Sequence, residues 1–177
     1  MKKYIAVLAI VVITLCSFKW YEPDKPAEDA HVKWLTWEQA QAAQKKKPKK
    51  LFVDVYTDWC GWCKRMDATT FDNPAIAKYM NDNYYCVKFN AETKEEVTFK
   101  GKKYATDGRY CTLATFLLQN KMGFPTSIYM DEDLNILTSV SSYLSPKDLE
   151  PILSYFATNS HKNTPWEEYQ KSFKSSL

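Results

Sequence analysis

The feature that most constrains this chain is a pair of cysteines, two residues apart, where a strand pattern gives way to a helical one. Leu51 to Val55 reads as a buried strand. It leads into Trp59-Cys60-Gly61-Trp62-Cys63-Lys64, and helical spacing continues to Thr70. Two intervening residues let both sulfurs meet in the first turn of a helix, where one thiol attacks and the other resolves. The unpaired N–H groups of that turn face the first thiol and stabilise its thiolate. A free thiol with a pKa of about 8.5 is about 3% thiolate at pH 7, and one with a pKa near 7 is about half ionised. Lower basicity weakens the nucleophile with a slope of about 0.5, so a roughly 15-fold gain in thiolate nets only about 3-fold in rate. The larger benefit is a better leaving group. Cys60 is therefore assigned as the attacking thiol and Cys63, one turn inside, as the resolving thiol.

The remaining composition narrows the class. A chain of 177 residues suits one domain, and 15% aromatics, with six Trp and twelve Tyr, supply a sizeable core. Four Gly argue against a Gly-rich nucleotide loop, and a net charge of +3 is too small to imply a nucleic-acid partner. Five Cys do not make a disulfide-stapled scaffold. A zinc site is a poor fit, because a structural site wants four ligands and His31 and His161 lie far from the cysteine pair.

The N-terminus has the shape of a secretory signal. Lys2 and Lys3 precede a thirteen-residue stretch, Tyr4 to Cys16, that is apolar apart from Thr14. A membrane-spanning helix needs about 20 apolar residues, so a permanent anchor is the lesser alternative. Ile13-Thr14-Leu15-Cys16 also has the look of a lipoprotein signal, although Leu15 departs from the small residue such signals place before the cysteine. The expectation is export to a bacterial cell envelope, with residues 1–17 as the signal and 18–33, containing Pro23 and Pro26, as a linker. Membrane contact is expected only through a retained N-terminus.

From residue 34 the pattern predicts an α/β domain to residue 160. Thr36 and Gln39 form a capping box for a helix over 37–46. The lysine-rich run 45–50, interrupted by Pro48, reads as a solvated helix end. A strand over 51–56 leads to a helix from Cys60 to about Thr70, and Asn73-Pro74 starts another over 74–82. Tyr84 to Asn90 is a strand, and residues 91–110 read as an insertion holding a hairpin from Val97 to Tyr104 that turns at Gly101. Thr112 to Lys121 predicts a helix with Leu113, Phe116 and Leu117 on its core face. Strands over 127–130 and 136–140 and a helix over 146–157 complete the domain, and the tail 161–177 holds at most a short helix. The alternation implies a central mixed sheet with helices on both faces. Cys86 and Cys111 are left as free buried thiols, a structural disulfide or a reactive extra thiol.

The stretch from Asp54 through Cys63-Lys64 to Phe71-Asp72-Asn73-Pro74 resembles the thioredoxin superfamily. It is most similar there to the C-terminal thioredoxin domain of the periplasmic thiol:disulfide interchange protein DsbD and to single-domain envelope thioredoxins related to it. The resemblance covers about residues 34–157. It implies a thioredoxin-like fold and thiol:disulfide exchange through a Cys60–Cys63 redox disulfide, without metal or organic cofactor. The implied partners are protein thiols and disulfides of the envelope and an upstream electron donor or acceptor. The implied direction is reduction, with an oxidant or isomerase, or a non-catalytic binding module, as alternatives.

Site roles carry over by position. Asp54 falls where the superfamily keeps a buried carboxylate; burial there raises its pKa, so it can exchange a proton through water as Cys63 becomes a nucleophile. Lys88 matches the lysine that pairs with this carboxylate. Asp67, one turn after Cys63, matches an acidic residue whose charge opposes thiolate formation. Trp59 either shields the site from water or packs in the core. Phe124-Pro125-Thr126 matches the cis-proline loop opposite the disulfide, with Phe124 forming part of the substrate groove. The inner pair Gly61-Trp62 departs from the common Gly-Pro and Pro-His pairs, and Trp62 is placed to contact the partner.

Overall fold

The computed structural model describes residues 31–175. The signal-like stretch, Cys16 and residues 18–30 of the linker lie outside them. In chain order the elements are β1 (Trp34–Leu35), α1 (Trp37–Lys46), β2 (Lys50–Tyr56), α2 (Gly61–Met66), a π-helical turn (Asp67–Phe71), α3 (Pro74–Asn83) and β3 (Tyr84–Asn90). Two small hairpins follow, β4 (Val97–Phe99) with β5 (Lys102–Tyr104), and β6 (Thr106–Asp107) with β7 (Tyr110–Cys111). The chain then forms α4 (Thr112–Leu117), β8 (Thr126–Met130), β9 (Ile136–Val140), α5 (Pro146–Ala157), a 3₁₀ turn at Ser160–Lys162, and α6 (Trp166–Ser172). Among the described residues no helix is long and apolar enough to cross a membrane.

The main sheet has the order β1-β3-β2-β8-β9. β1 and β2 both run parallel to β3, whereas β8 is antiparallel to β2 and to β9. β2 lies at the centre and is buried from Lys50 to Val55. Its side chains alternate between two cores, as the two-residue period of a strand requires. Leu51, Val53 and Val55 face a cluster with Trp37 and Ala40 of α1 and Leu113, Ala114 and Leu117 of α4. Phe52 faces the opposite cluster, with Met66, Ile76, Met80, Leu149 and Leu153 from α2, α3 and α5. Asp54 shares the Phe52 face, so a carboxylate lies under the cysteine helix for reasons of strand parity alone.

Local signals account for most boundaries. Thr36 and Gln39 make a reciprocal capping box, with the Gln39 N–H donating to Thr36 Oγ1 at 3.2 Å and the Thr36 N–H to Gln39 Oε1 at 3.0 Å. Asn73 Oδ1 accepts from the N–H groups of Ala75 and Ile76, and Pro74 occupies the first helical position.

The structure differs from the sequence expectations in four places. The helix begun at the cysteines changes hydrogen-bond pattern after Met66, and the Asp72 N–H reaches back five residues to the Asp67 carbonyl at 3.1 Å. The helix at Thr112 ends at Leu117, where Gln119 and Asn120 take positive φ, and its buried positions are Leu113, Ala114 and Leu117. Phe116 lies off that stripe and is exposed. Lys49 and Lys50 are not part of a solvated helix end. Lys50 opens β2, is buried and donates to Glu132 Oε1 at 2.6 Å and Asn159 Oδ1 at 2.9 Å; the Lys49 ammonium donates to the Asn81 carbonyl at 2.7 Å. β1 and the β6–β7 hairpin are too short to carry a periodic signal. Of the two readings of the tail, the structure has the short helix, α6: Tyr169 donates to Ser154 Oγ at 2.9 Å, and Trp166 and Tyr169 pack on Tyr155.

Candidate active site

The cysteine pair sits where β2 hands over to α2. Cys60 is the N-cap, with extended backbone angles of φ −74° and ψ 103°, and Gly61 opens the helix. Cys60 and Cys63 form a disulfide, with S–S 2.09 Å and Cα–Cα 5.3 Å. The Cys63 N–H donates to Cys60 Sγ at 3.0 Å, which is the sulfur an N-terminal helix turn would stabilise as a thiolate. In this oxidised form both residues are buried, Cys60 at 5% and Cys63 at 2% exposure. A Cβ added at Gly61 would meet nothing within 4 Å, so the glycine leaves open space beside the disulfide.

Two indoles stand beside this buried disulfide. Trp59 is 56% exposed and Trp62 is 58% exposed, so core packing does not account for either. Trp62 leans on Tyr143 at 5.5 Å, and the Arg65 guanidinium lies over both rings. Trp59 meets Phe124 edge to face at 5.8 Å, which places the Phe124-Pro125-Thr126 loop next to the cysteine motif. The Phe124–Pro125 peptide bond is cis, and Pro125 is buried.

Beneath the helix, three charges form a cluster. Asp54 is 1% exposed and accepts from Lys88 Nζ at 2.9 Å through Oδ2, while its Oδ1 is buried with no hydrogen-bond partner. Register explains the pairing, because Asp54 and Lys88 are direct neighbours on parallel β2 and β3. Lys88 also pairs with Asp67, at the start of the π-helical turn. The resemblance assigns the charge of Asp67 to the thiols; here that carboxylate is engaged by Lys88. The ammonium lies over the rings of Trp34, Tyr56 and Phe71 at 5.0, 5.1 and 5.3 Å. Burial pushes the Asp54 carboxyl up to about 6, against the opposing pull of Lys88. Burial works against the Lys88 ammonium, yet its two carboxylates outweigh it and hold its pKa above the ordinary value. A cleft of about 330 Å³, lined by Trp34, Asp67, Phe71 and Lys88 among others, opens this cluster to solvent.

Residues 25–176 match the family Thioredox_DsbH, described as a protein of unknown function, DUF255. The chain belongs to that family. Within it the Cys60–Cys63 disulfide is the feature of a thiol-disulfide oxidoreductase-like thioredoxin. The chain is similar to the uncharacterized protein B0495.5 of Caenorhabditis elegans, at 28% identity over 145 residues, covering 81% of this chain and 18% of that protein. It is similar to the thiol:disulfide interchange protein DsbD of Escherichia coli K12, at 29% identity over 91 residues, covering 51% of this chain and 14% of DsbD. The chain thus spans only a small part of the length of these curated relatives. A solved structure described as a DsbH oxidoreductase shares the fold, with a TM-score of 0.55 at 14% identity, covering 76% of this chain and 90% of that one.

In this DsbH-family thioredoxin the structure also brings in residues that sequence reasoning missed. Glu92 and Arg109, at the two ends of the insertion, contact Trp59, and Arg65 and Tyr143 contact Trp62. The one local signal was Gly108, a glycine at the first central position of a two-residue hairpin turn, which puts Arg109 at the hairpin tip. Cys86 and Cys111 are free, buried and in the two different cores, so they form no disulfide with each other.

Proposed function

We propose that this protein is a thiol:disulfide oxidoreductase of the bacterial cell envelope that reduces disulfides in protein substrates. The observation that carries the reading is the Cys60–Cys63 disulfide at the helix N-terminus, with exposed Trp59 and Trp62 beside it and a buried proton-binding carboxylate beneath. In the reduced protein, the Cys60 thiolate attacks one sulfur of a substrate disulfide. The Cys60–substrate bond forms as the substrate disulfide breaks, and the departing substrate thiolate takes a proton. Cys63 then loses its proton, with Asp54 as the acceptor, and attacks Cys60 Sγ. This breaks the Cys60–substrate bond, releases the second substrate sulfur as a thiolate that takes up the proton passed to Asp54 or one from solvent, and leaves Cys60–Cys63 oxidised. An upstream dithiol donor returns two electrons and two protons. The two sulfurs suffice for the chemistry, and no metal or organic cofactor is invoked.

The charge cluster supports the reducing direction. The cluster sets two carboxylates, Asp54 and Asp67, against the single ammonium of Lys88. A net negative charge disfavours a thiolate nearby, and a dithiol whose reduced form is not stabilised is a reductant rather than an oxidant. The signal-like N-terminus supports export.

The test is turnover of insulin by the reduced protein, by Cys60→Ser and by Cys63→Ser. Wild type reduces insulin, Cys60→Ser is inactive, and Cys63→Ser accumulates a mixed disulfide. Equal, absent activity in all three would instead favour a binding module. Equilibration with glutathione reads the direction: a potential near about −270 mV marks a reductant and one near about −120 mV an oxidant.

A further inference from the structure

The two tryptophans beside the disulfide are supported differently. Trp62 rests on Arg65 of its own helix and on Tyr143. Trp59 is held by the insertion. Its indole N–H donates to Glu92 Oε2 at 2.9 Å, and the Arg109 guanidinium covers its ring at 5.1 Å. Arg109 Nε donates to Glu92 Oε1 at 2.6 Å, so one carboxylate ties the indole and the guanidinium together with its two oxygens. Phe124 closes the other side of Trp59. An indole that is more than half exposed is thus restrained on three sides.

The insertion is built to keep Arg109 there. At its base the Ala91 N–H donates to the Tyr56 carbonyl, at the end of β2, and the Cys111 N–H to the Ala91 carbonyl, both at 2.8 Å. Thr106 Oγ1 donates to the Thr93 carbonyl at 2.5 Å. Asp107 and Tyr110 pair across the β6–β7 ladder, leaving Gly108 and Arg109 as a two-residue turn. Gly108 has φ +73°, the positive value such a turn needs at its first position, where glycine carries no steric penalty. Tyr110 backs the guanidinium at 5.2 Å.

We infer that Glu92 and Arg109 are positioning residues that lock Trp59 as one wall of the substrate site, and that this lock favours polypeptide disulfides over small-molecule disulfides. The inference rests on the exchange activity proposed above. A polypeptide strand approaching the buried sulfurs must lay side chains against the wall, and a wall already held in place loses little freedom on binding. A small disulfide needs contact only with the sulfurs.

The experiment compares KM and kcat for insulin with the rate on oxidised glutathione, for wild type, Glu92→Ala, Arg109→Ala and the double variant. Each single variant raises KM for insulin by roughly 3- to 10-fold, the range expected from freeing one large side chain, with kcat near wild type and the glutathione rate unchanged. The double variant is no worse than the poorer single one, because both break the same lock. An unchanged KM for insulin, or an equal loss on both substrates, overturns the inference. A wild-type protein inert toward both disulfides removes the exchange reading itself, which is distinct from an active enzyme whose variants bind insulin normally.

Discussion

Replacing Asp54 by Asn asks which of two opposing effects governs the charge cluster. Burial disfavours the Asp54 carboxylate, and Lys88 at 2.9 Å favours it. The balance lies with burial, since the carboxyl is pushed from 3.8 up to about 6. Because the folded-state pKa is the higher one, the native state binds more protons across that interval, and stability falls as pH rises through it. Below pH 3.8 the carboxyl is protonated in both states and there is no penalty; above about 6 the penalty is complete. A difference of about 2 units corresponds to about 3 kcal/mol as a ceiling. Asn is nearly isosteric and cannot ionise, but it leaves Lys88, among the described residues, with Asp67 as its remaining carboxylate partner. The expected gain at pH 7.5 is therefore about 1–3 kcal/mol, or roughly 2–4 °C in Tm for each kcal/mol. Urea unfolding of the oxidised proteins at pH 3.5 and 7.5 measures it, and the difference between wild type and D54N isolates this one group. The advantage should be present at pH 7.5 and absent at pH 3.5. A D54N protein less stable than wild type at pH 7.5 would show that the Lys88 pair outweighs burial and would refute the reasoning. On the exchange mechanism proposed above, the same variant should also slow resolution of the mixed disulfide, by up to roughly 10²-fold.

Two further expectations concern groups already placed. Lys88→Met removes the cation that opposes burial, so the Asp54 carboxyl rises further and the ascending limb of the pH–rate profile for insulin reduction moves upward; a profile that stays in place or moves down would contradict the cluster described here. Burial pushes the Cys86 thiol up to about 12, leaving roughly 10⁻⁴ of it as thiolate at pH 8, so in the folded oxidised protein its peptide should escape iodoacetamide and become labelled only in urea. Rapid labelling of Cys86 in the folded state would mean that this face of the sheet opens.

The frame of this protein was readable because its signals are local. Capping residues sit within three positions of the groups they satisfy, and the strand Tyr84–Asn90 and the helix Pro146–Ala157 carry their apolar periods in consecutive residues. The position of Asp54 was readable for a related reason: it lies six residues before Cys60, in a strand that leads directly to the cysteine helix. Its pairing with Lys88 was implied by the thioredoxin resemblance, and the register of parallel β2 and β3 accounts for it. The burial of Lys50 was not readable, because its partners Glu132 and Asn159 are distant in sequence, and nothing in a lysine-rich run distinguishes the one residue that enters the sheet.

The support of Trp59 by Glu92 and Arg109 was invisible for a deeper reason than distance. The bond from Trp59 to Glu92 spans 33 residues and that from Glu92 to Arg109 spans 17; Trp59 and Arg109 are exposed, Glu92 is half-buried, and all three lie in irregular or turn segments. Periodicity reports which side chains face a core; it reports nothing about pairing between exposed side chains, where no hydrophobic period is imposed. The buried half of the site, with its sulfurs and acid, is constrained by strand parity and helix start, so its residue types follow from position. The exposed half is under no such constraint. Two chains with the same cysteine motif and the same buried acid can therefore support the tryptophan before the first cysteine differently, and in this one Glu92 and Arg109 of the segment Ala91 to Tyr110 support it.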